Sequence, residues 1–276
     1  MFSVIIPLFN KEKSIKGTLL SVLNQTFSDF EVIVVNDGSS DNSVSEVESL
    51  LDSRVKIIHQ NNSGVSAARN RGVLEAKYEW IAFIDGDDIW EDYHLEEVTK
   101  MMEKFPNNSV YATSFKYSNN KKMFHHPRTA EIFKIENYFK EAILEYIICT
   151  DVVVIKKDAF LETGGFNNNL SRGEDLDLWA RLARKYSIIK SRKVTAIYRI
   201  EAENRSDRTF NLEKSRVYNY DFSQSNSIDE TNYYKHQITK SLRGLIKKND
   251  YYKFFKLYIK HNKYISIFNI LRKSQV

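Results

Sequence analysis

A single cysteine, Cys149, excludes an internal disulfide, and a chain built without one is expected in a reducing compartment. Cys149 lies in the apolar run YIICTDVVVI and reads as a small core residue rather than a nucleophile. Only 3 prolines among 276 residues argue against long disordered linkers. No stretch approaches the roughly 20 apolar residues of a membrane span. The opening MFSVIIP carries no basic leader, so a cytoplasmic location is expected. No internal repeat is visible. Acid is almost missing from the last stretch. From Lys235 onward, Lys240, Arg243, Lys247, Lys248, Lys253, Lys256, Lys260, Lys263, Arg272 and Lys273 face Asp250 alone. The net charge of +5 therefore belongs to the tail, and it is too mild to imply a nucleic-acid partner.

What is present is ample for a packed core: 42% hydrophobic residues, 13% aromatic. The first part of the chain alternates. SVIIPLF reads as a buried strand, and Ile15, Leu19, Val22 and Leu23 recur at helical spacing over residues 11–26. FEVIVV is a second strand breaking into NDGSSD, with Asp41 or Ser43 placed to cap a helix running to Leu51. RVKIIHQ is a third strand, GVSAARNRGVLEA a helix opened by Gly64, and WIAFIDGDD a fourth strand. Such alternation predicts a parallel sheet with helices on both faces. An amphipathic helix over 91–105 stops at Phe105-Pro106. Further on, the pattern predicts strands near 109–117 and 146–156 around a helix near 134–145. A Gly/Asn-rich loop then leads into a helix bearing Leu176, Trp179 and Leu182 on one face. SIIKSRKVTAIYRI reads as a hairpin or paired strands, and after Asn211 the chain turns helical, basic and rich in Tyr and Phe.

In open sheets of this kind the ligand crevice lies beyond the carboxyl ends of the strands. Three polar clusters fall there: PLFNKE, NDGSSD and DGDD. In the last of these Asp85, Asp87 and Asp88 crowd the end of an apolar strand. Carboxylates this close repel one another unless a cation intervenes. The expected cation is a hard divalent ion, Mn²⁺ or Mg²⁺, which would also hold something anionic.

With these elements in order, the chain resembles the inverting glycosyltransferases of family 2, which have the GT-A fold. The resemblance rests on VIIPLFNKEKSIKGTLLSVLNQTFSDFEVIVVNDGSSDNS, GVSAARNRG, FIDGDDIW and GGFNNNLSRGEDLDLWARL. It spans roughly the first two hundred residues. It implies a Rossmann-like, mostly parallel α/β sheet flanked by helices, with a C-terminal helical appendage. Residues 1–210 would form the transferase domain, 1–105 binding the nucleotide and 106–210 the acceptor, with 211–276 as the basic, aromatic helical region.

The implied activity is transfer of a sugar, hexosyl or N-acetylhexosaminyl, from a nucleotide-sugar donor. The donor would be UDP-linked, and the acceptor a hydroxyl of a glycan or lipid-linked glycan, with inversion, in surface polysaccharide synthesis of the O-antigen or capsule type. By this resemblance Asp87 ligates the metal, and Asp85, beside Gly86, faces the ribose or donor sugar. Pro7, Leu8, Phe9 and Asn10 would shape the nucleotide pocket, where an aromatic can pack on a base. Asp37 would hydrogen-bond the base edge, and Arg69 would sit near the phosphates. Asp175 would be the general base that deprotonates the acceptor, and Glu174 an acceptor or loop contact. Asp88 would organise the turn, and Asp177 would point elsewhere.

One departure stands out. Where relatives carry Tyr-Arg-x-His, this chain reads YRIEAENRS, keeping Tyr198 and Arg199 and placing Glu201 at the histidine position. Glu201 either ligates the metal or turns outward and leaves Arg199 and Arg205 to meet the phosphates; the second is expected. The basic, aromatic tail would seat peripherally on the anionic inner face of the cytoplasmic membrane, or pack a homo-oligomer. Two competing readings are a nucleotidyltransferase, disfavoured by the lack of a glycine-rich phosphate loop after strand one, and a decayed nucleotide- or carbohydrate-binding module. His125 and His126 read as surface or acceptor-loop residues.

Overall fold

A computed structural model describes residues 1–122, 129–203 and 211–271. The expectations for His125, His126 and Arg205 fall outside these residues. The chain runs β1 (Phe2–Leu8), α1 (Ile15–Leu23), β2 (Phe30–Asn36), α2 (Ser43–Glu48), β3 (Val55–His59), α3 (Val65–Glu75) and β4 (Trp80–Phe83). Next come β5 (Ile89–Trp90), α4 (His94–Lys104), β6 (Val110–Tyr117), β7 (Ile132–Lys134), α5 (Tyr138–Glu141), β8 (Val153–Lys156), α6 (Lys157–Glu162), α7 (Glu174–Ala183) and β9 (Ile188–Tyr198). It closes with α8 (Arg216–Asn219), α9 (Ile228–Lys247), α10 (Tyr251–His261) and α11 (Ile267–Leu271).

The strands form one sheet in the order β3-β2-β1-β4-β8-β6-β9-β5, with β7 also on β9. Side chains alternate across it, as a strand buried on both faces requires. Ile5, Ile33, Val35, Ile81 and Phe83 pack one face, with Ala68 of α3, Phe160 of α6 and Trp179 of α7. Val4, Ile6, Leu8, Val34 and Ala82 pack the other, against Ile15 and Leu19 of α1 and Val98 and Met101 of α4. The result is the expected α/β architecture, a central sheet flanked by helices. Gly72 shows how tight the first face is: a Cβ there would come 2.3 Å from Ile5 Cγ2. The C-terminal helices are present, and they share that core: Tyr233, Ile238 and Leu242 of α9 and Phe254 and Leu257 of α10 belong to it.

Sheet polarity decides where the polar loops meet. β1, β2, β3 and β4 are mutually parallel. Beyond β4 the sheet is mixed, because β8 runs antiparallel to both β4 and β6, while β6 and β9 are parallel. One edge therefore gathers the carboxyl ends of β1, β2, β4, β6 and β9 and the amino end of β8. The stretch read as a hairpin is a single eleven-residue strand, β9. No turn residue interrupts it. A register shift opposite Ala112 and Ser114 absorbs the polar Ser191-Arg192-Lys193 instead. The strand predicted near 146–156 is likewise shorter, starting at Val153 after a turn of 3₁₀ helix over Thr150–Val152.

Candidate active site

The first two crevice loops are laced together by their own polar groups. Asn10, at φ 51°, accepts from the Ser40 N–H at 2.8 Å, and the Lys11 N–H donates to Ser43 Oγ at 2.7 Å. Phe9 is exposed and Pro7 half-buried at this edge. Leu8 departs from the expectation that it shapes the nucleotide pocket. Its side chain is fully buried in the core, and its carbonyl accepts from the Asp37 N–H at 2.8 Å. Asp37 is itself buried, and three donors hold its carboxylate: Gln60 Nε2 at 2.7 Å, Ser63 N–H at 2.8 Å and Gly64 N–H at 2.8 Å. It thus pins the loop that starts α3, with about one of roughly four acceptor positions to spare. The DGDD turn lies tight against β1: a Cβ on Gly86 would sit 3.2 Å from the Pro7 carbonyl oxygen.

Arg69, on α3, is the centre of the arrangement. Only 3% exposed, it donates to Asp85 Oδ1 at 2.6 Å and to Glu174 Oε1 at 3.4 Å. Its guanidinium also lies 5.0 Å from the Phe166 ring centre. The buried Nε has no hydrogen-bond partner, a donor the protein leaves unused. One side chain thereby ties the end of β4 to the first turn of α7, the two acidic clusters that the sequence places 89 positions apart (Asp85 and Glu174).

Asp87 has a different counter-ion. Its Oδ2 accepts from Lys11 Nζ at 2.6 Å, and the same ammonium donates to the Glu203 carbonyl. Behind these, Asp88 is 2% exposed and accepts from the Arg199 N–H at 2.7 Å. Asp151, at the amino end of β8, is equally buried; it accepts from the Asp85 N–H at 2.8 Å and from Cys149 Sγ at 3.3 Å. Carboxylate oxygens of Asp85, Asp88 and Asp151 lie within 4.8 Å of one another. Burial, followed by the charges of Asp151, Asp87 and Asp85, pushes the Asp88 carboxyl far above the ordinary range, so it holds a proton. All the oxygens offered here are hard donors, the set that suits Mg²⁺ or Mn²⁺.

At the acceptor end, Gly173 adopts φ 74° and starts α7 with Glu174 and Asp175 in its first turn. Burial raises the pKa of both; the neighbouring Asp175 raises Glu174 further, and Arg69 opposes the shift in each. Arg216 of α8, buried and donating to the Leu176 carbonyl at 3.2 Å, also lowers Asp175. Arg199, expected at the phosphates, directs its guanidinium to the Asp87 carbonyl, the Ser14 carbonyl and Thr18 Oγ1, clamping the DGDD turn to α1. Glu201 is exposed and accepts from Ser118 Oγ at 2.5 Å, apart from the aspartate cluster. Asp177 pairs with Arg181 on the helix surface.

Sequence reasoning assigned no role to Lys11, Asp151 or Arg216. Asp151 had a signal, a lone carboxylate inside the apolar run YIICTDVVVI, where an unpaired charge would be costly. Lys11 and Arg216 had none, since their partners are distant in sequence.

The glycosyl transferase family 2 model matches residues 3–164. The chain belongs to that family. An uncharacterized glycosyltransferase of Rickettsia conorii is 35% identical over 189 residues, 67% of this chain but 30% of that protein. Glycosyltransferase GlyG of Streptococcus pneumoniae is 28% identical over 200 residues, 67% of this chain and 65% of that one. The matched segment is thus less than a third of the length of the first of these relatives. A crystal structure of S. aureus TarS in complex with UDP-GlcNAc superposes with a TM-score of 0.69, covering 96% of this chain and 93% of that one at 17% identity. That likeness shows the shared GT-A fold.

Removing Arg69 tests whether it neutralises the family-2 crevice. Arg69→Met is expected to cost about 3–5 kcal/mol of stability near pH 8, and less near pH 5. Without the guanidinium, Glu174 and Asp175 keep folded pKa values above their unfolded ones. The folded state then binds more protons in that window, and stability falls as pH rises. Urea denaturation at both pH values measures this; a loss independent of pH would contradict it.

Proposed function

We propose that this chain transfers a hexosyl or N-acetylhexosaminyl group from a UDP-linked donor to a hydroxyl of a glycan or lipid-linked glycan, with inversion, in surface polysaccharide synthesis. The observation that carries this is the Arg69 bridge, which sets donor-side Asp85 and acceptor-side Glu174 and Asp175 around one crevice. Asp175 removes the acceptor proton as the oxygen attacks the anomeric carbon. The bond to the diphosphate breaks on the opposite face, so one displacement inverts the centre. A base must be unprotonated yet basic, and burial of Asp175 raises its proton affinity toward that balance. Asp87, with Asp85 beside it, would hold Mn²⁺ or Mg²⁺, which when bound neutralises charge on the departing diphosphate. The unused Nε of Arg69 offers an anionic oxygen a further donor. Asp175→Asn keeps the shape of the base without its proton affinity. Expected is a fall in transfer of roughly 10²–10⁴-fold with UDP affinity retained; turnover near that of the parent would place the base elsewhere.

The location proposed for this activity is an anionic lipid surface, supported by the C-terminal helices. No helix among the described residues is long and apolar enough to cross a membrane. α10 instead exposes Tyr252, Phe255 and Ile259 at 75%, 57% and 66%, and α11 exposes Phe268 and Leu271. Phe254, Leu257 and Ile270 anchor both helices in the core, so this apolar face is held rigidly. Lys248, Lys260 and Lys263 stand exposed around it. Each cation near an anionic bilayer adds about 1 kcal/mol, screened by salt. The chain is expected to co-sediment with phosphatidylglycerol vesicles, less so in high salt and in Phe255→Ser/Ile259→Ser. Sedimentation indifferent to both would contradict the location, and self-association weakened by the same pair would assign the face to a second copy.

A further inference from the structure

A second opening lies beside Asp175. Residues 138–148, the first turn of α7 and one flank of α9 enclose a groove with about 510 Å³ of empty space, mouth included, a size suited to a small-molecule ligand. Its position ties it to the acceptor side of the crevice. Leu176, next to the proposed base, forms part of the wall, and the charge of Asp175 reaches the Tyr146 phenol. Tyr146 is 50% exposed, with its ring edge-on to Phe115 at 6.4 Å. Phe115 in turn meets Tyr117 and Tyr198, so an aromatic wall runs along the ends of β6 and β9 toward this residue.

The chemistry of the groove is graded. At the Tyr146 end it offers a ring face and, across it, Gln237 of α9, the combination that binds a sugar by stacking and hydrogen bonds. Away from that end it is apolar: Ile143, Leu144 and Ile147 line it, and Leu144 is left 52% exposed. A free oligosaccharide would leave that apolar wall wet, whereas a hydrocarbon substituent would cover it. Part of the wall, Leu176 and Gln237, lies outside residues 3–164 that match the family, so the groove is partly this chain's own.

We propose that this groove is the acceptor subsite and takes a glycoside with an apolar aglycone, the sugar stacked on Tyr146 and the aglycone along Ile143, Leu144 and Ile147. This rests on the transferase reading and narrows its acceptor from any glycan to an amphipathic glycoside. Lys240, exposed at the rim on α9, stands where the aglycone leaves the groove.

The test is equilibrium binding of octyl β-D-glucopyranoside, kept below its micellar concentration, against methyl β-D-glucopyranoside, each with and without UDP. Octyl glucoside is expected to bind the full chain at least tenfold more tightly. Tyr146→Ala and Leu144→Gln, both at exposed positions, are each expected to weaken it at least fivefold, with UDP binding serving as the check on folding. Equal affinity for the two glycosides would overturn the proposal, as would octyl binding untouched by both substitutions. If instead the parent chain fails to bind UDP, the transferase reading is at fault, and the glycoside comparison made without nucleotide still judges the groove.

Discussion

Six carboxylates, Asp85, Asp87, Asp88, Asp151, Glu174 and Asp175, converge on one edge of the sheet, and the protein supplies few cations to hold them there. Arg69 takes Asp85 and Glu174, and Lys11 takes Asp87. Asp88 is left to keep a proton, because burial among like charges makes ionisation too costly. This is an arrangement under electrostatic load. Structural ion pairs alone would not call for such crowding, since buried pairs seldom add net stability over apolar packing. A site meant to receive a cation and an anionic diphosphate does call for it.

The sheet makes the convergence possible. Parallel β1, β2 and β4 bring their carboxyl ends to the same edge, and the reversal at β8 delivers Asp151 to that edge from the start of a strand. The antiparallel insertion is therefore part of the site. α3 aligns Arg69 with the crevice because Asp37 fixes the loop before it through Ser63 and Gly64. The C-terminal helices continue the same construction: α9 walls the acceptor groove on one flank and carries α10 and α11, with their apolar face, on another.

Much of this was legible in the sequence because it is local. The alternation of apolar runs with helical periodicity placed β1 to β4 and α1 to α4, and the acidic DGDD turn announced itself at the end of an apolar strand. What escaped depends on contacts between distant segments. Nothing near Lys11 shows that it will meet Asp87 and the Glu203 carbonyl. Leu8 sits inside a loop-edge motif, yet the two-residue period of β1 turns its side chain into the core. Arg199 was read from its company as a phosphate ligand, whereas its guanidinium clamps Asp87 to α1. β9 looked like two strands because its polar centre resembles a turn, and only its pairing with β6 shows a bulge.

The account stands or falls on whether the carboxylate crevice holds a metal-associated diphosphate. Isothermal titration of UDP, with and without Mn²⁺, into the parent chain and Asp87→Ala addresses this directly. The account predicts binding that strengthens with Mn²⁺ in the parent and is lost in the variant, whose fold is verified by its thermal melt. UDP affinity in Mn²⁺ that is the same for Asp87→Ala and the parent would contradict it.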